Sequence, residues 1–169
     1  MVTLPKSGGN GKGFNEQDRA EISQSNNEGC RMSTVFSNIS AALDSRLDTL
    51  FGSSPIAWEN TAFTPVKDTL YLSQHILPAS TIQAGLGVNG LDEHIGIYQI
   101  DVYAPKGKGR GDAEAKADAV ADHLKRGTDL VYGGTYVKLG NVSRNAGLMD
   151  EERFVISITI NYMAHVPPR

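Results

Sequence analysis

The chain reads as an α+β domain: a mainly antiparallel sheet with two helices packed on it, in the order α-β-β-β-α-β-β. Three observations predict this. Residues 33–51 repeat apolar side chains every three or four positions, whereas 95–104 and 153–164 alternate with period two. Between the alternating runs lies an alanine-rich stretch opened by Asp112 and closed by Gly127. The connection 79–94 has no helical pattern, and strands joined without a helix pair as a hairpin, because a parallel crossover needs one.

Each element follows from its residues. In 33–51, Val35, Ile39, Leu43, Leu47 and Leu50 form an apolar stripe that Phe36 and Ala42 widen, with Ser33 placed to cap the helix and Gly52 to close it. A short strand at 56–60 carries Trp58. The next, 70–77, sets Leu70, Leu72 and Ile76 against Tyr71, Ser73 and His75, and Pro78 is expected to end it. In 95–104, Tyr98, Ile100, Val102 and Ala104 share one face, Ile97, Gln99, Asp101 and Tyr103 the other, and Pro105 closes the ladder. The second helix starts from Asp112 as N-cap and presents Ala113, Ala117 and Ala121 for close packing. A weaker strand follows at 135–143, then a polar turn-rich stretch at 144–152. The cleanest strand is 153–164, with Phe154, Ile156, Ile158, Ile160 and Tyr162 facing inward.

Residues 1–31 differ in composition. Five glycines, many Asn, Ser and Gln, and balanced charges leave too little apolar surface to offset the entropy of ordering, so a flexible N-terminal arm is expected. Residues 32–169 then form a single domain. Met32 immediately follows the arm, and an alternative start there is one expectation, which intact mass measurement decides.

Composition narrows the function classes. A net charge of −3 argues against nucleic-acid binding through bulk charge. One cysteine, Cys30, excludes an internal disulfide framework and a site built from several thiolates, and points to a reducing cytoplasm. No apolar run approaches the roughly 18 residues that a membrane span needs.

Candidate chemistry is sparse. Gly85, Gly87 and Gly90 fit the letters of a dinucleotide fingerprint, yet a strand follows them where pyrophosphate requires a helix N-terminus. Gly11-Lys12-Gly13 lacks the first glycine and the Ser or Thr of a phosphate loop. His75, His94, His123 and His165 have no metal-ligand spacing, and His123 is expected on the polar face of the second helix. Asp92 with Glu93, and 150–152, read as turn acids. Lys106, Lys108 and Arg110, interleaved with glycines just before a helix, read as a solvated basic loop; lining a pore or meeting an acidic partner is the other reading. No catalytic, cofactor-binding or metal-binding residue is assigned, and no cofactor is expected.

The chain from Met32 to Val166 resembles the small tail terminator, or tail completion, proteins of long-tailed bacteriophages, and especially a prophage group that often carries no assigned function. Ile56 to Asn60 (IAWEN), Leu77 to Ala79 (LPA), Gly96 to Pro105 (GIYQIDVYAP), the helix opening Gly111 to Ala115 and the final FVISITINYMA carry the resemblance. It implies a non-enzymatic virion protein that forms a homo-oligomeric ring, usually a hexamer, on the end of the tail tube. The ring stops tube growth and offers the surface that joins the head or neck, with DNA passing through it without sequence-specific binding. Its expected partners are copies of itself, the tail tube protein and a neck or head-completion protein. Its place is the head-proximal end of the virion tail, with assembly in the host cytoplasm. On that reading the helices and sheet edges supply lateral contacts, and Gly85, Gly87, Asn89, Asp92 and Glu93 reach the tube or a neighbouring subunit. Lys106, Lys108 and Arg110 then face the channel or neck. A head–tail joining protein is the nearer alternative, and a small-molecule-binding α+β enzyme the further one.

Overall fold

In a computed structural model of the chain, residues 34–51, 55–85, 87, 90–150 and 152–166 are described. The expected arm at 1–31, the Ser33 cap and Gly52 lie outside the described residues. The elements, all in the compact unit that begins at Val35, are α1 (Val35–Phe51), β1 (Ile56–Ala57), β2 (Tyr71–Gln83), β3 (Asp92–Pro105), α2 (Gly111–His123), β4 (Asp129–Tyr132), β5 (Thr135–Arg144), β6 (Leu148–Asp150) and β7 (Arg153–Val166). The α+β class and the order of the main elements are as the patterning requires, with the short strands β4 and β6 added.

Seven strands form one sheet in the spatial order β1-β2-β3-β7-β5-β4, and β6 pairs with β7. All pairs are antiparallel except β1 with β2, which is parallel over Ile56↔Leu72 and Ala57↔Ser73. The ladder of β3 with β7 runs unbroken from Asp92↔Val166 to Pro105↔Arg153. Its inward residues Tyr98, Ile100, Val102, Ile156, Ile158, Ile160 and Tyr162 are all buried, which makes this pair the floor of the core. Ile39, Leu43 and Leu47 of α1, with Ala113, Ala117 and Val120 of α2, close it from above. The alanine stripe thus serves the protein's own sheet, where small side chains bring helix and strands close.

Several expected boundaries move. Pro78 does not end β2; the strand continues to Gln83 through a bulge in which Ala79 and Ser80 stand opposite Ile95 alone. A proline is tolerated there because β1 covers only the start of β2, leaving Pro78 at an edge that no described strand pairs with. The long loop expected over 79–94 is therefore mostly hairpin, and Asp92 and Glu93 are strand residues. The first strand stops at Ala57, and the left-handed Asn60 (φ 56°) and Asp68 (φ 59°) turn the chain across to β2. The N-cap position of α2 is held by Arg110, whose side chain makes no capping bond, so Asp112 falls in the first turn; the helix ends at His123 with Leu124 as C-cap. Gly127 (φ 84°) belongs to the turn that leads into β4. Strands β4 and β5 are joined through Gly133 and Gly134, both at positive φ, as a two-residue primed turn requires.

Polar contacts lock the helices in place. The Tyr98 hydroxyl, buried on the sheet, donates to Asp44 of α1 at 3.0 Å. The Arg46 guanidinium donates to the His123 carbonyl at 3.2 Å, and the His123 Nε2 meets the Arg46 carbonyl at 2.8 Å, so that nitrogen carries the proton. His123 is thus a link between helices and not the solvated residue that its sequence position implied. Phe36 of α1 packs edge-on against His94 of β3 at 5.2 Å. Tyr162 lies across Gly96, its cross-strand partner, where any side chain would strike the ring.

Two expected outcomes follow from this packing. Ile158→Ala, at a fully buried position of the central strand, lowers unfolding free energy by about 2–5 kcal/mol in urea titration. Burial raises the Asp44 carboxyl from 3.8 to about 6, against the opposing Tyr98 hydrogen bond and with a smaller push from Glu59. Because the folded value lies above the unfolded one, the folded state binds the proton more tightly. Its contribution to stability is complete below about pH 4 and is lost as pH rises through about 6. Asp44→Asn, which still accepts from Tyr98, removes that decline, so thermal melts of wild type and variant should diverge progressively from pH 4 to 6.

Candidate assembly surfaces

The residues singled out in the sequence fall at two opposite ends of β3. Strand β3 spans 14 residues, so its ends stand roughly 40 Å apart at about 3.3 Å per residue. At one end the hairpin tip is compact. The Ala84 N–H donates to the Leu91 carbonyl at 2.8 Å, and the Gly90 N–H to the Gly87 carbonyl at 2.8 Å. Gly85 and Gly90 are pressed together, and a side chain on Gly90 would collide with the Gly85 carbonyl. That contact explains the glycines without any phosphate. Asn89 lies outside the described residues. Asp92 and Glu93 stand just below the tip, opposite Gln83 and Ile82 on one side and Val166 and His165 on the other.

At the other end, Lys106, Lys108 and Arg110 are exposed in the link from β3 to α2. Two of them already have partners within the chain. Lys108 donates to the Asp68 carbonyl at 3.1 Å, and Arg110 pairs with Glu114 one helical turn on at 3.3 Å. Lys106 lines a small hollow of about 180 Å³ with Lys67, Asp68, Glu152 and Arg153.

Beside this basic end the outer face of the sheet carries an aromatic stack that the sequence did not single out. Tyr71 and Tyr103 are parallel at 4.7 Å, Phe63 tilts against Tyr71 at 5.1 Å, and the Arg153 guanidinium sits 5.0 Å over the Tyr71 ring. Arg153 also donates to the Thr69 carbonyl at 2.7 Å and to the Val66 carbonyl at 3.1 Å, which ties the connection before β2 to the start of β7. Burial raises both tyrosine hydroxyls above their ordinary range. The signal was present in the register: Tyr71 and Tyr103 are cross-strand partners, and such pairs attract.

The outer face also holds an apolar hollow of about 580 Å³ lined by Ile95, Ile97, Leu139, Tyr162 and Met163, with Lys138 and Arg126 at its rim. It arises where two bulges fall two rungs apart on the β3–β7 ladder: Ala79/Ser80 opposite Ile95 in β2, and Gly140/Asn141 opposite Asn161, the partner of Ile97, in β5. None of its lining groups pairs a nucleophile with a base. Among the described residues no cluster of His, Cys, Asp and Glu suits a metal ion, and no helix is long and apolar enough to cross a membrane.

Comparison with known proteins agrees with a structural part. A family model described as phage tail terminator protein matches residues 38–162. Eleven solved chains also match. One of them superimposes with a TM-score of 0.65 at 26% identity, over 79% of this chain and 97% of its own. Comparison with curated proteins finds no match.

Proposed function

The chain belongs to the phage tail terminator protein family, and on that premise we propose that it forms a ring, usually a hexamer, that caps the tail tube. The family match over 38–162 carries the reading. A growing tube presents the same heterologous surface after each added ring, so growth continues until a part with one tube-like face and one different face docks. The separation of the two candidate surfaces by the length of β3 supports such a two-sided part. We assign the tip end, with Gly85, Gly87, Asn89, Asp92 and Glu93, to the tube or a neighbouring subunit. The basic end, with Lys106, Lys108 and Arg110, faces the DNA channel or the neck. Its function is attachment and termination without turnover, at the head-proximal end of the virion tail after assembly in the host cytoplasm.

Native mass spectrometry and negative-stain microscopy of the protein mixed with tail tubes test this directly. Rings on tube ends and tubes of limited length are expected. A protein that stays monomeric and leaves tube growth unchanged would refute the proposal. Binding only to a head-completion protein would make it a different neck component. Charge reversal at Lys106, Lys108 and Arg110 together should leave rings intact and reduce DNA passage, scored as infectious particles per assembled tail; loss of the rings themselves would contradict the channel placement.

A further inference from the structure

We propose that neighbouring copies in the ring join edge to edge, the β2 edge of one copy pairing with the β4 edge of the next, with Ile82 beside Val131. The proposal rests on the ring reading above and specifies the joint that such a ring uses.

Neither edge is paired by a strand among the described residues, and the hydrogen bonds of each fix which groups point outward. In an antiparallel pair, residues that exchange backbone bonds alternate with residues whose N–H and C=O point away. The Ala84 N–H donates to Leu91 across the hairpin. Two-residue alternation then turns the backbone groups of Gln83 and Thr81 away from β3. At the far side, Leu139 donates to Thr128 at 2.9 Å and Gly127 donates to Leu139 at 2.9 Å. The same alternation turns the groups of Asp129 and Val131 away from β5. Among the described residues no strand lies beyond either position in the sheet order. Lower down, β2 is covered: β1 pairs with Leu72 and Ser73, and Glu59 reaches the Ile76 N–H at 3.5 Å. The opening therefore begins at Pro78.

Past Pro78 and the bulge, the β2 edge has no charge to guard it. Free edges in soluble proteins carry charges that discourage pairing, whereas residues 77–83, LPASTIQ, carry none. Pro78 blocks one position and leaves Thr81 and Gln83 able to donate.

Direction and side chains both fit. Four antiparallel steps separate β2 from β4, so the two strands run the same way. Rotation about a ring axis preserves that sense, and the joint is parallel. Within one copy a single row crosses the outer face: Ile82, Glu93, His165, Tyr136 and Val131, each opposite the next. Both ends of the row are exposed and apolar, Ile82 at 48% and Val131 at 58%, with Tyr136 at 65% beside Val131. Placing Val131 opposite Ile82 continues the row into the next copy. In a parallel ladder Val131 then donates its N–H to the Thr81 carbonyl and accepts from the Gln83 N–H. These are the groups that point outward. Two unlike edges make a heterologous contact, which closes a ring when the rotation per copy is an integral fraction of a turn.

The test uses the full chain mixed with tail tubes. Gln83→Pro and Val131→Pro each delete one outward N–H and leave the internal ladders intact. Each should keep the wild-type circular dichroism and melting temperature while the ring fraction falls at least tenfold. Leu148→Ser, an exposed apolar residue away from both edges, should leave rings unchanged. Independently, Ile82→Cys with Val131→Cys in a Cys30→Ser background is treated with a short bis-maleimide. Within one copy the two sites stand about 19 Å apart, four strand spacings of ~4.8 Å, so the reagent links only neighbouring copies. A ladder from dimer to full ring supports the joint, and this arm decides the matter if a proline variant fails to fold. Rings that persist in both proline variants and give no ladder overturn the edge pairing while leaving the terminator reading intact. Absence of any wild-type ring on tubes defeats both.

Discussion

Fourteen paired residues hold β3 against β7, and the remaining structure is positioned by that ladder. Because side chains alternate across a strand, one register decides the face of every residue on both strands. A one-residue slip would turn Tyr98, Ile100, Ile158 and Ile160 to solvent together. The helices then have only one apolar surface to cover, and β2 and β5 can add only at the two free sides of the pair. Tyr162 across Gly96 reinforces the register, since the ring lies where a side chain at position 96 would project.

On this floor the helices are fixed by few polar contacts of high consequence. Tyr98 to Asp44 ties α1 to the sheet, and the reciprocal pair of Arg46 and His123 ties α1 to α2. Burial makes the Asp44 carboxyl costly to charge, which is why its proton affinity rises despite the hydrogen bond from Tyr98. On the opposite face, Arg153 gathers the connection before β2 and stacks on Tyr71. The two ends of β3 are thereby braced from different sides: a glycine-tight tip at one, an aromatic and basic cluster at the other. The span thus carries two chemically distinct ends.

Much of this was legible in the chain, and the misses have physical reasons. Period-two alternation placed the inward faces of β3 and β7 correctly because both strands are long and central. The same reasoning stopped β2 at Pro78, since proline removes a ladder donor; the strand continues because that donor would have pointed away from β3, to an edge that no described strand pairs with. Gln74 interrupts the apolar face of β2 yet is buried, so a polar letter concealed one core position. Strand β4 escaped notice because it has four residues, too few to show a period, and only its Gly133-Gly134 turn marked it. Of the candidate contact residues, the glycines and lysines could be placed at loop ends from turn chemistry. That the two groups sit at opposite ends of one strand required the hairpin register, which tertiary pairing sets. The Arg46–His123 exchange had no sequence signal, because it depends on how two distant helices meet.

The paired bulges in β2 and β5 deserve to be read as one device. Each adds a residue to one flank of the β3–β7 ladder, at Ala79/Ser80 and at Gly140/Asn141, and the two additions face the same short stretch of that ladder. A bulge bends and twists its strand while side chains beyond it keep their faces. Two only two rungs apart act as an oblique crease across the sheet. The crease lets both flanks curve away from the straight β3–β7 ladder in one region, and that curvature is what opens the outer-face hollow between them. Loss of either extra residue would flatten the sheet there and close the hollow.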